Sequence, residues 1–267
     1  MQKKQPGWAE QWSRYKDDNE FLFREWIHPW SLEDFRGKRV LDAGCGHGAH
    51  AAMVAPYARE VIGVDLNCAA IAREEIRAFP NASAVEGDIA RIRFDELFDA
   101  VFCIGVIHHT DDPAATFRHL KTLVKPGGRL LIWAYSHEGN FLNRVFVEGL
   151  KRGGLLKLPA GALHALAWIL TALLYPLVYT VYLLPLRALL PYYDYFGNFR
   201  KLPPRKNIQN VFDKLIAPQT AFLRREEIAA WFDPREFEDV HLSNYKEVSW
   251  RASGTRRAAN RESERKP

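Results

Sequence analysis

Cysteine is scarce in this 267-residue chain, with three residues in all. Cys45, Cys68 and Cys103 are odd in number and show no metal-ligand spacing, so no metal site is expected and a reducing compartment suits them. The N-terminus, MQKKQPGWAEQW, carries charge but no apolar core segment, so no secretory signal is expected and a cytoplasmic location follows. Evenly spread positive charge is also missing. The net charge is +5, but residues 251–267 contribute +4 and residues 137–206 contribute +6, which leaves the remainder at −5. A nucleic-acid partner is therefore not expected, because the basicity lies on a tail and one segment. From Leu158 to Leu186 there is no Asp, Glu, Lys or Arg. No internal repeat is present.

What is there alternates. An aromatic-rich stretch over 8–27 (Trp8, Trp12, Tyr15, Phe21, Phe23, Trp26) predicts one helix, closed by Pro29. Strands are expected at Val40–Ala43, Glu60–Asp65, Ser83–Gly87, Ala100–Gly105 and Arg129–Tyr135. Helices are expected from the glycines to about Arg59, over Cys68–Phe79 and over Pro113–Val124. This β-α rhythm with short loops predicts an α/β, doubly wound, parallel sheet with ligands at the carboxyl ends of its strands. Thr220–Phe232 reads as a helix, and Phe237–Tyr245 with Glu247–Ala252 as antiparallel strands finishing the sheet. The basic stretch RRAANRESERKP reads as a disordered tail.

The chemistry starts at VLDAGCGHGAH, Val40 to His50. Gly44, Gly46 and Gly48 follow a strand, a turn that leaves backbone N–H groups open to a ligand. A dinucleotide fingerprint would need a third glycine where His50 stands, and a phosphate loop would end in Gly-Lys-Ser/Thr. On its own the pattern is also that of a tight structural turn. Three acids narrow it. Asp65 ends the next strand, where a carboxylate accepts ribose hydroxyls; Asp88, in EGDIA, is placed to meet an adenine amino group. Asp42, at the mouth of the first strand, would repel a pyrophosphate and attract an ammonium. A ribose, an adenine and a cation without phosphate describe S-adenosylmethionine.

At this point the chain resembles the class I S-adenosylmethionine-dependent methyltransferases. VLDAGCGHG, VIGVDLN, EGDIA, FDAVFCIGVIHHTDDP and LVKPGGRLLIWAY are similar to five family motifs in family order, across residues 38–136, with a looser match at 207–255. The resemblance implies a Rossmann-like, mainly parallel seven-stranded sheet and S-adenosyl-L-methionine as cofactor. It implies cofactor contacts at Asp42, Gly44, Cys45, Gly46, Asp65, Leu66, Asp88 and Ile89, with Ile104 or Gly105 after the fourth strand. Gly48 is expected to permit close helix packing. The N-terminal aromatic helix resembles the family's cofactor cover, with Trp12 and Tyr15 as lining candidates; simple packing on the sheet is the other reading. The expected organisation is a helical cover (1–36), a cofactor-binding core (37–136), an apolar helical insert (137–206), a C-terminal completion of the sheet (207–253) and a basic tail (254–267).

Methyl transfer from a sulfonium is an in-line displacement, helped by alignment and desolvation and, for a hydroxyl or carbon acid, by a base. His109 is the candidate base by position and pKa, and Tyr135 a candidate at the pocket rim; both have structural alternatives. His108 is expected to point into the sheet, and Asp111 to cap the Pro113 helix. The charge-free run is longer than a spanning helix, yet a single crossing would put the final strands across the bilayer from their sheet. Pro176 and Pro185 predict two or three shorter helices. Three roles stay open for this run: a lid completing an acceptor pocket with Tyr192, Tyr193, Tyr195 and Phe196, a segment (155–190) dipping into one leaflet between basic flanks, or interface packing. The expected function is methylation of a small, apolar or lipid-like acceptor, with a catalytically silent, membrane-associated or cofactor-sensing partner protein as the alternative. No Asn/Asp-Pro-Pro-aromatic base-flipping motif follows the fourth strand. Deleting 155–190 is expected to abolish acceptor methylation while cofactor binding persists.

Overall fold

A computed structural model describes residues 6–15 and 19–258. The aromatic stretch forms two helices rather than one, α1 (Pro6–Arg14) and α2 (Glu20–Ile27). Asn19, at φ −79° and ψ 83°, leaves helical geometry and starts the second, and residues 16–18 lie outside the described residues. Then come β1 (Arg39–Ala43), α3 (Ala49–Val54), β2 (Glu60–Asp65), α4 (Ala69–Glu75), β3 (Ala82–Glu86), β4 (Phe98–Ile104), α5 (Pro113–Thr122) and β5 (Val124–Tyr135). The insert and the segment after it supply α6 (Glu148–Arg152), α7 (Ala160–Val178), α8 (Tyr193–Phe199), α9 (Pro204–Ile216) and α10 (Arg225–Trp231), before β6 (Phe237–Tyr245) and β7 (Ser249–Arg256).

The seven strands form one sheet in the order β3-β2-β1-β4-β5-β7-β6. β1 to β5 are parallel, while β7 runs antiparallel between β5 and β6. Both faces are covered, which explains the unbroken apolar run of β4. Val101 and Cys103 enter one cluster with Leu41, Phe117 and Phe232. Ala100, Phe102 and Ile104 enter the other with Phe23, Phe35 and Val40. That is the period-two alternation of a strand buried on both sides. The strand order reverses between β1 and β4, where an open parallel sheet leaves a crevice at the strand tips.

Several boundaries move for identifiable reasons. The helix expected from Thr220 begins at Arg225 because the preceding segment is held extended: Ala221 N donates to His108 O at 2.7 Å and Leu223 N to Tyr135 O at 2.9 Å. Asp112, not Asp111, caps α5, accepting from Ala115 N at 2.9 Å; Asp111 accepts from Gln219 Nε2 at 3.0 Å. Pro176 does not divide the insert. It sits in the last turn of the 19-residue α7, where only one ladder bond is lost before the helix ends. The expected boundary at 206/207 falls inside α9, which packs with α7 rather than starting the sheet's completion. β7 reaches Arg256, past the expected start of the tail; residues 259–267 lie outside the described residues. β5 precedes the insert and β7 follows it, yet Trp133 pairs with Arg251, so both ends of the insert lie on one side and it makes no single crossing.

Candidate active site

The glycine turn is built for close approach. Gly44, Gly46 and Gly48 have φ values of 89°, 54° and 93°, in the region that favours glycine. A Cβ at Gly44 would stand 2.5 Å from a Val106 methyl, and one at Gly46 would meet the Trp12 indole at 3.1 Å. At Gly48 it would press on the Ala72 backbone at 3.0 Å, so that glycine serves packing of α3 on α4, as expected.

Asp65 closes the cradle. Its Oδ2 accepts from Gly46 N at 3.0 Å, and its Oδ1 from Asn67 N and Cys68 N, both at 2.8 Å. These three amides, with the Cys68 thiol as a further partner, fix the orientation of the carboxylate, which lines the cavity where a ribose would lie. Burial raises the Asp65 pKa, with the three amides pulling it back. The cavity beside it is lined by Gly44, Cys45, Gly46, Leu66, Asp88, Ile89, Ile104 and Gly105 as well. Asp88 is steadied by Ala90 N, which donates to its Oδ1 at 2.9 Å.

Two expected contacts are placed elsewhere. Asp42 is absent from the cavity wall. It lies within β1, fully buried, with neither carboxylate oxygen at hydrogen-bond distance from a partner. Burial, then the Asp65 charge, raises its pKa well above the carboxylate range, against a weaker pull from the Ala51 amide. Tyr15 also misses the cavity: it follows the last residue of α1, and its hydroxyl lies 2.6 Å from His164 Nε2 on α7. The cover is instead the face of α1 carrying Trp8, Gln11 and Trp12, spaced i, i+3 and i+4. Trp12 stacks on His47 with ring centroids 4.6 Å apart.

His109 and Tyr135 both line the cavity. The His109 ring packs 4.9 Å from that of Trp8, and its Nδ1 lies 2.8 Å from Gln219 O. A carbonyl only accepts, so Nδ1 carries the proton and Nε2 is the basic nitrogen of the neutral ring. Burial keeps the His109 pKa below the usual imidazole value, with Asp213 opposing. The Tyr135 hydroxyl donates to Asp213 Oδ2 at 3.1 Å, while Gln11 Nε2 donates to Asp213 Oδ1 at 2.9 Å. Asp213 thus ties the cover to the tip of β5, and burial holds the Tyr135 proton firmly in place. His108 stays off the wall, its ring tilted against that of Tyr135 with centroids 4.2 Å apart and neither nitrogen hydrogen-bonded. Lys206, Gln209, Asn210 and Asp213 of α9 complete the wall. No sequence motif marks these residues, and the only signal α9 carries is amphipathic spacing.

A second cavity of about 390 Å³ adjoins the first and shares Trp26, Trp133, Tyr135 and Asn210 with it. Leu170, Leu173 and Leu174 of α7, with Tyr192, Tyr195 and Phe196, form much of its apolar wall. Tyr193 is not on that wall; its hydroxyl donates to Leu184 O at 2.9 Å.

The cavity wall, with the glycine turn, Asp65 and Asp88, fits an adenosyl group, and comparison with known proteins agrees. Residues 41–132 match the family model described as "Methyltransferase domain". Among curated proteins, the ubiquinone biosynthesis O-methyltransferase of Alkalilimnicola ehrlichii is 36% identical over 107 residues, which is 38% of this chain and 42% of that protein. The enzyme of the same name from Ralstonia nicotianae is 32% identical over 130 residues, 46% of this chain and 54% of that protein. The chain therefore spans about half the length of the curated relatives it matches. Its fold resembles an O-methyltransferase family protein from Burkholderia thailandensis (TM-score 0.53, 15% identity, 90% of this chain and 57% of that one). It also resembles a magnesium protoporphyrin IX methyltransferase from Synechocystis PCC 6803 solved with bound SAM (TM-score 0.51, 15% identity, 92% of this chain and 90% of that one). Motif order, sheet topology and the geometry of the glycine cradle lead to one conclusion: over residues 41–132 the chain carries a methyltransferase domain, on the class I fold, with a cradle that suits S-adenosylmethionine as its cofactor.

Proposed function

We propose that this protein transfers a methyl group from S-adenosylmethionine to an apolar or lipid-like acceptor seated in the second cavity. The observation that carries this reading is the wall common to both cavities, Trp26, Trp133, Tyr135 and Asn210. The cofactor supplies an electrophilic methyl. Asp65, Asp88 and the glycine turn hold its adenosyl part, and the buried aromatic wall excludes water from the transfer path. His109 is the base where the acceptor is a hydroxyl, because its neutral ring presents Nε2 as proton acceptor. Tyr135, anchored to Asp213, positions the acceptor.

The surface of the insert supports delivery from a membrane, at its cytoplasmic face. Leu173 lines the second cavity and is 70% exposed, so the cavity wall reaches an outer surface that also displays Trp168, Ile169, Leu183 and Leu189. Exposed apolar side chains in such number mark contact with a partner or a bilayer. Of the expected basic flank, Lys151 is buried and pairs with Glu148 at 2.7 Å, while Arg152, Lys157 and Lys201 are exposed. The test is methyl transfer with labelled cofactor, using either the lipid or the aqueous fraction of a cell extract as acceptor source. Label entering an organic-soluble product only with the lipid fraction supports the reading; label confined to water-soluble product, or no transfer while cofactor still binds, overturns it.

A further inference from the structure

We infer that the second cavity takes an amphiphile whose head is an oxyanion, a carboxylate or a phenolate, and that Lys214 binds that head. This rests on the second cavity being the acceptor's seat. Its wall carries two lysines, Lys214 and Lys246, and no Asp or Glu. Lys246 shares its surroundings with Glu25, whose carboxylate feels its charge. Lys214 is differently placed. Its ammonium donates to Asn210 O at 3.1 Å and to the Tyr195 hydroxyl at 3.4 Å, and lies 5.3 Å and 5.8 Å from the Tyr195 and Tyr135 ring centroids.

No carboxylate among the described residues lies within ion-pair distance of Lys214. The adjacent Asp213 gives its oxygens to Gln11 and Tyr135. An ammonium has three donors; two meet neutral acceptors and the third is left for a ligand. Burial alone would lower the Lys214 pKa, but Tyr195 and Asp213 more than offset it, so the charge is retained. A cation kept charged in an aromatic, apolar chamber, with no carboxylate in ion-pair contact, is completed by an anionic ligand.

Position along α9 orients that ligand. Lys214 follows by one turn Asn210, which belongs to both cavities, an axial step of about 6 Å. The head therefore lies at the cofactor end, and the hydrocarbon extends toward Leu170, Leu173 and Leu174. Methylation falls on or beside the head group, and the product keeps its tail.

The test uses the full chain saturated with S-adenosylhomocysteine, with binding of dodecanoate and of dodecanol read from tryptophan fluorescence, Trp26 and Trp133 being on the wall. Dodecanoate is expected to bind at least about tenfold more tightly than dodecanol. Lys214→Met is expected to abolish the preference and Lys214→Arg to keep it, with cofactor-product affinity unchanged in both; Lys214→Gln replaces Lys214→Met should that variant not fold. Equal affinity for both probes in the wild type, or a preference surviving Lys214→Met, overturns the role of Lys214 alone. Failure of both probes to bind while S-adenosylhomocysteine still does overturns the acceptor-cavity reading as well.

Discussion

Asp65 serves two structures with one carboxylate: it locks the glycine turn through three amides and lines the cofactor cavity. Asp65→Ala is expected to weaken S-adenosylhomocysteine binding by about 10- to 100-fold, the worth of a hydrogen bond to a charged group, measured by calorimetric titration. Gly44→Ala forces a Cβ against Val106 at a φ of 89° and is expected to cost about 1–3 kcal/mol, measured by denaturant unfolding. The charge-free burial of His108 gives a pH signature. Burial, then His109, pushes its pKa well down, so the folded state disfavours its protonation. Its contribution to stability is present above about pH 6.5, the unfolded value, and is lost as pH falls toward the folded value. His108→Phe removes that loss, so its stability relative to wild type should rise by about 1 kcal/mol between pH 7 and 5.5. A difference that stays flat with pH would contradict this.

Among the elements, the strands and the glycine turn were legible because their signals are local: period-two or continuous apolar runs, and glycines at fixed offsets. The acids at positions 65 and 88 were legible for the same reason, each closing a strand. What stayed hidden depends on tertiary packing. α9 lines both cavities, yet Lys206, Gln209, Asn210 and Asp213 acquire meaning only once α1 and β5 approach from chain positions far away. Tyr15 is a cover candidate through the family resemblance and becomes a packing residue because α7 offers His164 as partner. The same coupling alters what deleting 155–190 would do. α7 packs on α9 through Leu163, Ala167 and Phe212, so removing it disturbs the cofactor cavity too. Phe212→Ala, which empties a fully buried site, is expected to cost about 3–5 kcal/mol and to weaken binding at both cavities, measured by thermal unfolding and by calorimetry.

For the whole molecule, the account joins a conventional cofactor half to an apolar half carrying an exposed greasy surface. Replacing Ile169 and Leu173, both exposed on α7, with Asp should reduce co-sedimentation with anionic lipid vesicles at least about fivefold and leave S-adenosylhomocysteine binding unchanged. Unaltered sedimentation would remove the insert from membrane contact. The central claim is that the glycine turn and Asp65 hold S-adenosylmethionine against a wall shared with an apolar acceptor cavity. A crystal structure with bound S-adenosylmethionine tests it most directly. The account predicts the ribose on Asp65, the adenine beside Asp88 and Ile89, and the methyl facing the wall of Trp133 and Tyr135; an adenosyl group bound elsewhere, or a methyl turned away from that wall, would contradict it.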